Sequence, residues 1–167
     1  MHGYTQSLDY THMYNIPDTR RIKKKNEVYR DVPQNTIIGF IANDPDFSIF
    51  RRILMISGLY TKFTTCDKYT LFVVPNDKIL NISSNGEKTV DMSFFKDIDR
   101  WNARKIIMNM TMLGYFPFED VNTGTRQVVS IDNNLHTLDG RFYDDAHIMG
   151  CQETVNGMIY ILDRIVC

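Results

Sequence analysis

The sequence contains few of the residues that build disulfide frameworks or metal sites. Only three of its 167 residues are cysteine, and the odd set of Cys66, Cys151 and Cys167 matches no zinc-binding spacing. Free thiols in a reducing compartment explain them most simply. A Cys66–Cys151 bridge that leaves Cys167 free is the alternative. We expect no metal site and no cofactor.

The chain also lacks an excess of charge, a secretion signal and a long apolar run. Its 19 basic and 20 acidic residues give a net charge of −1, which creates no general attraction for nucleic acid or an acidic membrane. Residues 1–7 have neither a basic nor an apolar signal region. No apolar run reaches the length of a membrane span. An intracellular or particle-associated (virion) location is therefore favoured over secretion, the alternative being a mature form that has lost its signal.

Sequence signatures of common enzymes are missing as well. There is no Gly-x-Ser-x-Gly elbow, no phosphate-binding glycine loop and no His-Glu-x-x-His motif. Asp144 and Asp145, as neighbours in a predicted strand, would point to opposite faces. His136 is interpreted as a strand residue with one hydrogen bond, and His147 lacks further metal ligands in register. We expect no enzyme, although an enzyme or ligand-binding alternative would use His136, His147 and Asp144.

The first 34 residues differ from the rest of the chain. They carry six basic and four acidic residues, a net charge of +2, so the remaining 133 residues carry −3. A solvated charge run is the simplest interpretation. The functional interpretation is an extended arm whose tyrosines anchor it on a neighbouring protein. Nucleic-acid binding is disfavoured, because the acidic excess of the body opposes it. The candidate interaction residues of the arm are Tyr4, Tyr10, Tyr14, Arg20, Arg21, Lys23, Lys24, Lys25 and Tyr29.

Helical patterns dominate the first part of the body. Apolar residues at 37, 40 and 41 share one face behind a cap at Asn35 or Thr36. A second helix begins at Asp44-Pro45 and ends at Ser57-Gly58. A later helix begins at Asp97 or Asp99. Its predicted buried residues are Trp101, Ile106, Ile107 and Met108.

Strand patterns dominate the last third. A buried strand over 70–74 stops at Pro75, and Asn76 or Asp77 is predicted to accept hydrogen bonds from the first turn of a following helix. Short runs at 126–131, 135–138 and 158–166 are separated by Gly, Asn and Asp, which predicts consecutive antiparallel strands. The pattern indicates one α+β domain.

Three stretches resemble the fasciclin family, the FAS1 domain of cell-adhesion and matrix proteins. Residues 44–59 look like the family's early helix pair. Residues 70–77 are similar to its Thr-x-Phe-x-x-Pro-x-(Asn/Asp) block, and residues 155–165 to its Asn-Gly-(Val/Ile)-Ile-x-x-Ile-Asp-x-(Val/Ile) strand. The signature residues here are Thr70, Phe72, Pro75, Asn76, Asp77, Asn156, Gly157 and Asp163.

The resemblance implies a compact wedge for residues 35–167, a twisted β-sandwich of about seven strands with a helical layer, in which the two blocks are neighbouring core strands. Fasciclin domains that bind cell-surface receptors usually carry a Tyr-His pair after a helix, and Met108-Asn109 occupy that place here. The family's adhesive residues are therefore not carried over. Asp163 is interpreted as a hydrogen-bonded structural acid.

Together these observations predict a non-enzymatic interaction module. The body, residues 35–167, would be a rigid wedge, and the arm, residues 1–34, would dock into a larger assembly, of which a minor capsid or cement component of a large virus is one concrete form. A secreted or surface cell-adhesion protein, with sequons at Asn81 and Asn109, is the alternative of the same class. The expected partners are other proteins, and no small-molecule substrate is expected.

Overall fold

The computed structural model describes residues 35–64, 67–79 and 97–166. The arm and its candidate interaction residues lie outside the described residues, as do Cys66, Asn81 and Cys167. The division of the chain at residue 34 therefore stays a prediction.

The helices begin and end where the cap signals in the sequence indicated. The Thr36 side chain accepts a hydrogen bond from Gly39 N at 3.0 Å, and Asp44 Oδ1 accepts one from Asp46 N at 2.9 Å. Gly58, with φ of 75°, ends the second α-helix in the left-handed region that favours glycine. Among the described residues, the labelled α-helices are α1 Ile37–Asn43, α2 Ser48–Ser57, α3 Arg100–Asn109 and α4 Phe118–Val121, with short 3-10 helices at Pro45–Phe47 and Tyr60–Thr64. Residues 76–79, after Pro75, are helical as well.

Helix α3 contains one wrong prediction. Asp99 caps it by accepting from Asn102 N at 2.8 Å, as expected. Trp101, however, is 68% exposed rather than buried. The buried residues Ala103, Ile106 and Ile107 define the inner face of α3. Trp101 precedes Ala103 by two positions, or about 200° around the helix, and so points to solvent.

In the part of the chain that the structure describes, seven strands form one mixed sheet. The strands are β1 Tyr69–Val73, β2 Thr111–Leu113, β3 Arg126–Val129, β4 Leu135–Leu138, β5 Phe142–Tyr143, β6 Ala146–Thr154 and β7 Gly157–Leu162. Their order in the sheet is β2-β1-β7-β6-β5-β4-β3. Strands β1 and β7 are parallel, and Phe72 lies opposite Tyr160. The predicted α+β class, strand number and pairing of the two sequence blocks are confirmed.

The sheet curls until its two halves face each other. The ring of Phe72 in β1 stacks on that of Tyr143 in β5 with centroids 3.9 Å apart. Three strand spacings would separate these strands by about 14 Å in a flat sheet. The curl thus produces a sandwich-like core from one open sheet, and a backbone hydrogen bond from Ile131 N to Thr111 O at 2.9 Å joins its far ends.

Two local expectations are wrong. Asn76 does not cap the turn that follows it: its Oδ1 accepts from Ile49 N at 2.9 Å, so it caps α2 from 27 residues away. Asp144 and Asp145 do not lie in a strand but form the turn between β5 and β6, where Asp144 has φ of 54°. Cys151 is a free thiol, which agrees with the simpler of the two interpretations of the cysteines.

Candidate functional site

Ser130, His136 and Asp144 form a hydrogen-bonded row inside the curled sheet. His136, on β4, places Nδ1 2.7 Å from Asp144 Oδ2 and Nε2 3.1 Å from Ser130 Oγ. Asp144 is itself held, because its Oδ1 accepts from Thr137 N at 2.9 Å. These are the residue types and the order of a nucleophile, a base and an orienting acid.

The row is enclosed by protein. Ser130 is 2% exposed and His136 is 5% exposed. The Ser130 hydroxyl also contacts Asp132 Oδ1 and lies 3.3 Å from Asn134 O. A nucleophilic hydroxyl must reach its substrate, and the turn formed by residues 131–134 covers this one. In this arrangement the row satisfies buried polar groups, which is its evident structural role.

Tyr143 covers the other side of the histidine. Its ring stacks on His136 at 4.7 Å between centroids, and its hydroxyl donates to Asn109 O at 2.7 Å. Burial, and secondarily the charges of Asp144 and Asp132, raise the pKa of Tyr143 well above its ordinary value. Tyr143 therefore stays a neutral hydrogen-bond donor.

Asn109 is the centre of a second set of hydrogen bonds. Its Nδ2 donates to Val166 O at 2.9 Å, and its Oδ1 accepts from Asn134 Nδ2 at 2.9 Å. Asn109 is only 5% exposed. The position that matches the family's adhesive pair is thus occupied internally, while the neighbouring Met108 is half-buried. A glycan on Asn109 would be attached to Nδ2, the buried atom that donates to Val166 O.

The other predicted residues lie apart from this network. His147 is exposed and packs edge-on against Phe142 at 5.4 Å, so the structure brings together only His136 and Asp144 of the enzyme alternative. The Asp163 carboxylate accepts from His147 N at 2.9 Å. Asn156 accepts from Ile37 N at 3.0 Å and donates to Phe63 O at 2.6 Å.

Ser130, Asp132 and Asn134 were missed in the sequence. They belong to the β3–β4 turn, in which Ser130 N donates to Asn134 O at 3.0 Å. The only signal was the alternation of polar residues at 130, 132, 134 and 136. That spacing is equally typical of any polar turn, so it could not identify a network.

The outer surface of the sheet edge carries an exposed apolar pair. Val129 and Leu135 lie directly opposite each other on β3 and β4, and they are 52% and 61% exposed. Strand β3 stands at the end of the strand order. We call the exposed pair Val129 and Leu135 the hairpin face. An edge strand with an exposed apolar pair is a ready surface for another protein.

Two features are absent from the described segments 35–64, 67–79 and 97–166. Within them, no helix has the length and apolar character needed to cross a membrane. Among the same residues, no three His, Cys, Asp or Glu side chains cluster in a way that could hold a metal ion.

No protein-family model matches the sequence, and no curated protein matches it. Among solved structures, the chain is similar to a FAS1 domain pair from the insect cell adhesion molecule fasciclin I, with a TM-score of 0.61 and 11% identity. The match covers 80% of this chain and 51% of that chain, so this chain spans about half the length of the domain pair. At this identity the likeness concerns the fold alone. The chain therefore has a FAS1-like α+β fold.

Proposed function

We propose that the protein is a non-enzymatic interaction and structural module whose arm, residues 1–34, docks it into a larger protein assembly. The observation that carries this proposal is the hairpin face. Val129 and Leu135 stand more than half exposed on an edge strand, while the polar groups beneath them are paired inside the protein.

Burial of the hairpin face supplies a physical reason to bind. Removing apolar surface from water is favourable by roughly 25 cal/mol per Å². Two aliphatic side chains alone cannot make a stable interface, which needs many more residues on each side. The arm provides the additional contacts in this proposal, because its tyrosines and the arginines Arg20 and Arg21 are residue types enriched at interfaces.

The likeness to a domain pair from a cell adhesion molecule supports a role in binding proteins. A minor capsid or cement component of a large virus is the most concrete form of the assembly proposal. Adhesion at a cell surface is the alternative form. A glycan on Asn81 would favour the adhesion form, and sedimentation of the native protein with large particles would favour the assembly form.

Deletion of residues 1–34 tests the proposal directly. We expect the shortened chain to keep the circular dichroism spectrum and cooperative unfolding of the intact chain, yet to be lost from the particle fraction when native material is sedimented. The control replaces the five basic residues of the run at 20–25 with serine and keeps the tyrosines. Full incorporation of a folded deletion variant would contradict the arm proposal.

The row of Ser130, His136 and Asp144 supports a second candidate, a serine hydrolase in which the 131–134 turn opens. A fluorophosphonate probe tests it, since a reactive serine hydroxyl displaces fluoride and keeps the phosphorus. Labelling that disappears in Ser130→Ala would support the hydrolase. We expect no labelling of the intact protein, because the hydroxyl is enclosed.

A further inference from the structure

The Ser130 hydroxyl has more hydrogen-bond acceptors around it than it has protons. It contacts Asp132 Oδ1 and lies 3.3 Å from Asn134 O, and His136 Nε2 lies 3.1 Å away. A carboxylate and a carbonyl can only accept, whereas a hydroxyl donates one proton and accepts through its oxygen. If the hydroxyl donated to His136, its oxygen would face both other oxygens with no proton between them. The hydroxyl proton therefore belongs to Asp132, because a charged acceptor makes the stronger hydrogen bond.

This direction determines which atoms of His136 carry protons. Because Ser130 donates to Asp132, its oxygen can only accept from Nε2, and Nε2 must carry a hydrogen. On the other side of the ring, Nδ1 lies 2.7 Å from Asp144 Oδ2. Asp144 also accepts from Thr137 N at Oδ1, so it accepts at both oxygens, as a carboxylate does. Nδ1 is then a donor too, and a ring with two N–H donors is an imidazolium.

The surroundings of the ring suit a positive charge. His136 is only 5% exposed, and a buried charge is costly unless it is paired and hydrogen-bonded. Asp144, from the β5–β6 turn, bonds to the ring directly, and Asp132, from the β3–β4 turn, bonds to it through Ser130. From β5, the ring of Tyr143 stacks on it with centroids 4.7 Å apart, within the distance at which an aromatic face attracts a cation.

We propose that His136 is held as a doubly protonated imidazolium that clamps the β3–β4 turn to the β5–β6 turn and directs the Ser130 proton away from the ring. In a serine hydrolase the hydroxyl instead donates to a neutral imidazole. Loss of one proton from the ring would turn the Ser130 hydroxyl to Nε2 and leave Asp132 Oδ1 without its donor. The clamp is therefore closed in the protonated state and opens as pH rises. This inference goes beyond the proposed function and does not depend on the arm.

Nitrogen NMR of the intact, isotope-labelled chain counts the protons on the ring. Replacing His2, His12 and His147 by glutamine leaves His136 as the single histidine of the chain. The carbon-bound ring protons correlate with both nitrogens, so each nitrogen shift is measured even where its own proton exchanges with water. At about pH 7 we expect both nitrogens to show the shift of a protonated imidazole nitrogen. A neutral ring would overturn the proposal, and a neutral ring with its bare nitrogen at Nε2 would favour the hydrolase candidate.

Two matched carboxylate substitutions test what directs the proton. Asp132→Asn replaces the acceptor by an amide that can donate to Ser130 Oγ, which frees the hydroxyl proton for Nε2 and should leave His136 neutral. Asp145→Asn removes the same charge from the β5–β6 turn, where the exposed Asp145 carboxylate lies 3.9 Å from Arg164 Nη1. In that variant the ring should keep both protons. A doubly protonated ring in Asp132→Asn, or a neutral ring in Asp145→Asn, would overturn the role of Asp132 in the clamp.

Amide hydrogen exchange tests whether the clamp opens. Asn133 N donates to Ser130 O at 2.8 Å inside the turn, and Gly114 N donates to Lys68 O at 2.9 Å outside it. Over the pH interval in which the ring loses its proton, the protection factor of Asn133 should fall about tenfold or more, and that of Gly114 should not. If the wild-type ring keeps both protons wherever the fold survives, Asp132→Asn supplies the neutral ring at about pH 7. Unchanged protection of Asn133 beside a neutral ring would overturn the switch.

Discussion

Gly157 is the glycine at which a single methyl group should do most damage. It opens β7 opposite Tyr69 of β1 and has φ of 156°, a conformation that residues with a Cβ rarely adopt. A Cβ built there lies 2.0 Å from Tyr69 O and 2.8 Å from Ile37 Cδ1. The first of these contacts is with backbone, so Gly157→Ala must push apart the two strands that carry the family-like blocks.

Gly124 provides a matched control. Its φ is 153°, nearly the same as that of Gly157, but a Cβ there meets nothing within 4 Å. Gly124→Ala should therefore cost only the conformational strain, about 1–3 kcal/mol. Gly157→Ala adds overpacking against backbone, a further 1–3 kcal/mol or so. We expect it to lower the free energy of unfolding by about 2–6 kcal/mol in total.

Urea unfolding measured by far-UV circular dichroism gives both values. Fluorescence is a poor reporter for this purpose, because Trp101 is already 68% exposed in the folded state. If the two variants lose stability within roughly 0.5 kcal/mol of each other, the argument that backbone contact decides the cost at Gly157 is wrong.

Three further predictions follow from the hydrogen bonds. Asn156→Ala should lower the free energy of unfolding by about 2–5 kcal/mol in urea titrations, because it leaves the buried Ile37 N–H and Phe63 C=O without their partner; a loss below about 1 kcal/mol would contradict this. Burial first, and then the hydrogen bond to Glu153, raise the pKa of Tyr115 to about 12. The stabilisation that accompanies this shift is present below pH 10 and is lost as pH rises through about 12. The substitution Glu153→Gln should lower the pKa of Tyr115, which phenolate absorbance measures. Expression through a secretory pathway should leave Asn109 without glycan in intact-mass spectra, and glycan on Asn109 of folded protein would refute its buried placement.

Local chemistry made much of the fold predictable. Thr36 and Asp44 cap the helices that their side chains precede, and Gly58 ends α2 as expected. The two family-like blocks predicted the adjacent parallel strands β1 and β7. Each of these signals depends on residues close together in sequence or on a pattern that spans a whole strand.

Contacts between distant residues were the part that the sequence did not reveal. Asn76 is a residue type that often caps the helix next to it in sequence. Its side-chain oxygen instead accepts from Ile49 N, in a helix 27 residues earlier. Trp101 is a large apolar residue of the kind expected in a core, but its position around the axis of α3 places it on the solvent-exposed face. Ser130, His136 and Asp144 come into hydrogen-bonding distance only when three strands and two turns adopt one register. Amino-acid composition does not specify that register.

The buried row and the exposed hairpin face are linked by that register. Along β4 the residues alternate, with Leu135 and Thr137 exposed and His136 and Leu138 buried. A slip of one residue would bury Leu135 and expose His136, because successive side chains point to opposite faces. Such a slip would also separate His136 from Asp144, and a buried polar group without its partner costs about 1–3 kcal/mol. The row of Ser130, His136 and Asp144 therefore holds the strand in the one register that exposes Val129 and Leu135 to solvent, which gives a non-catalytic reason for a triad-like arrangement.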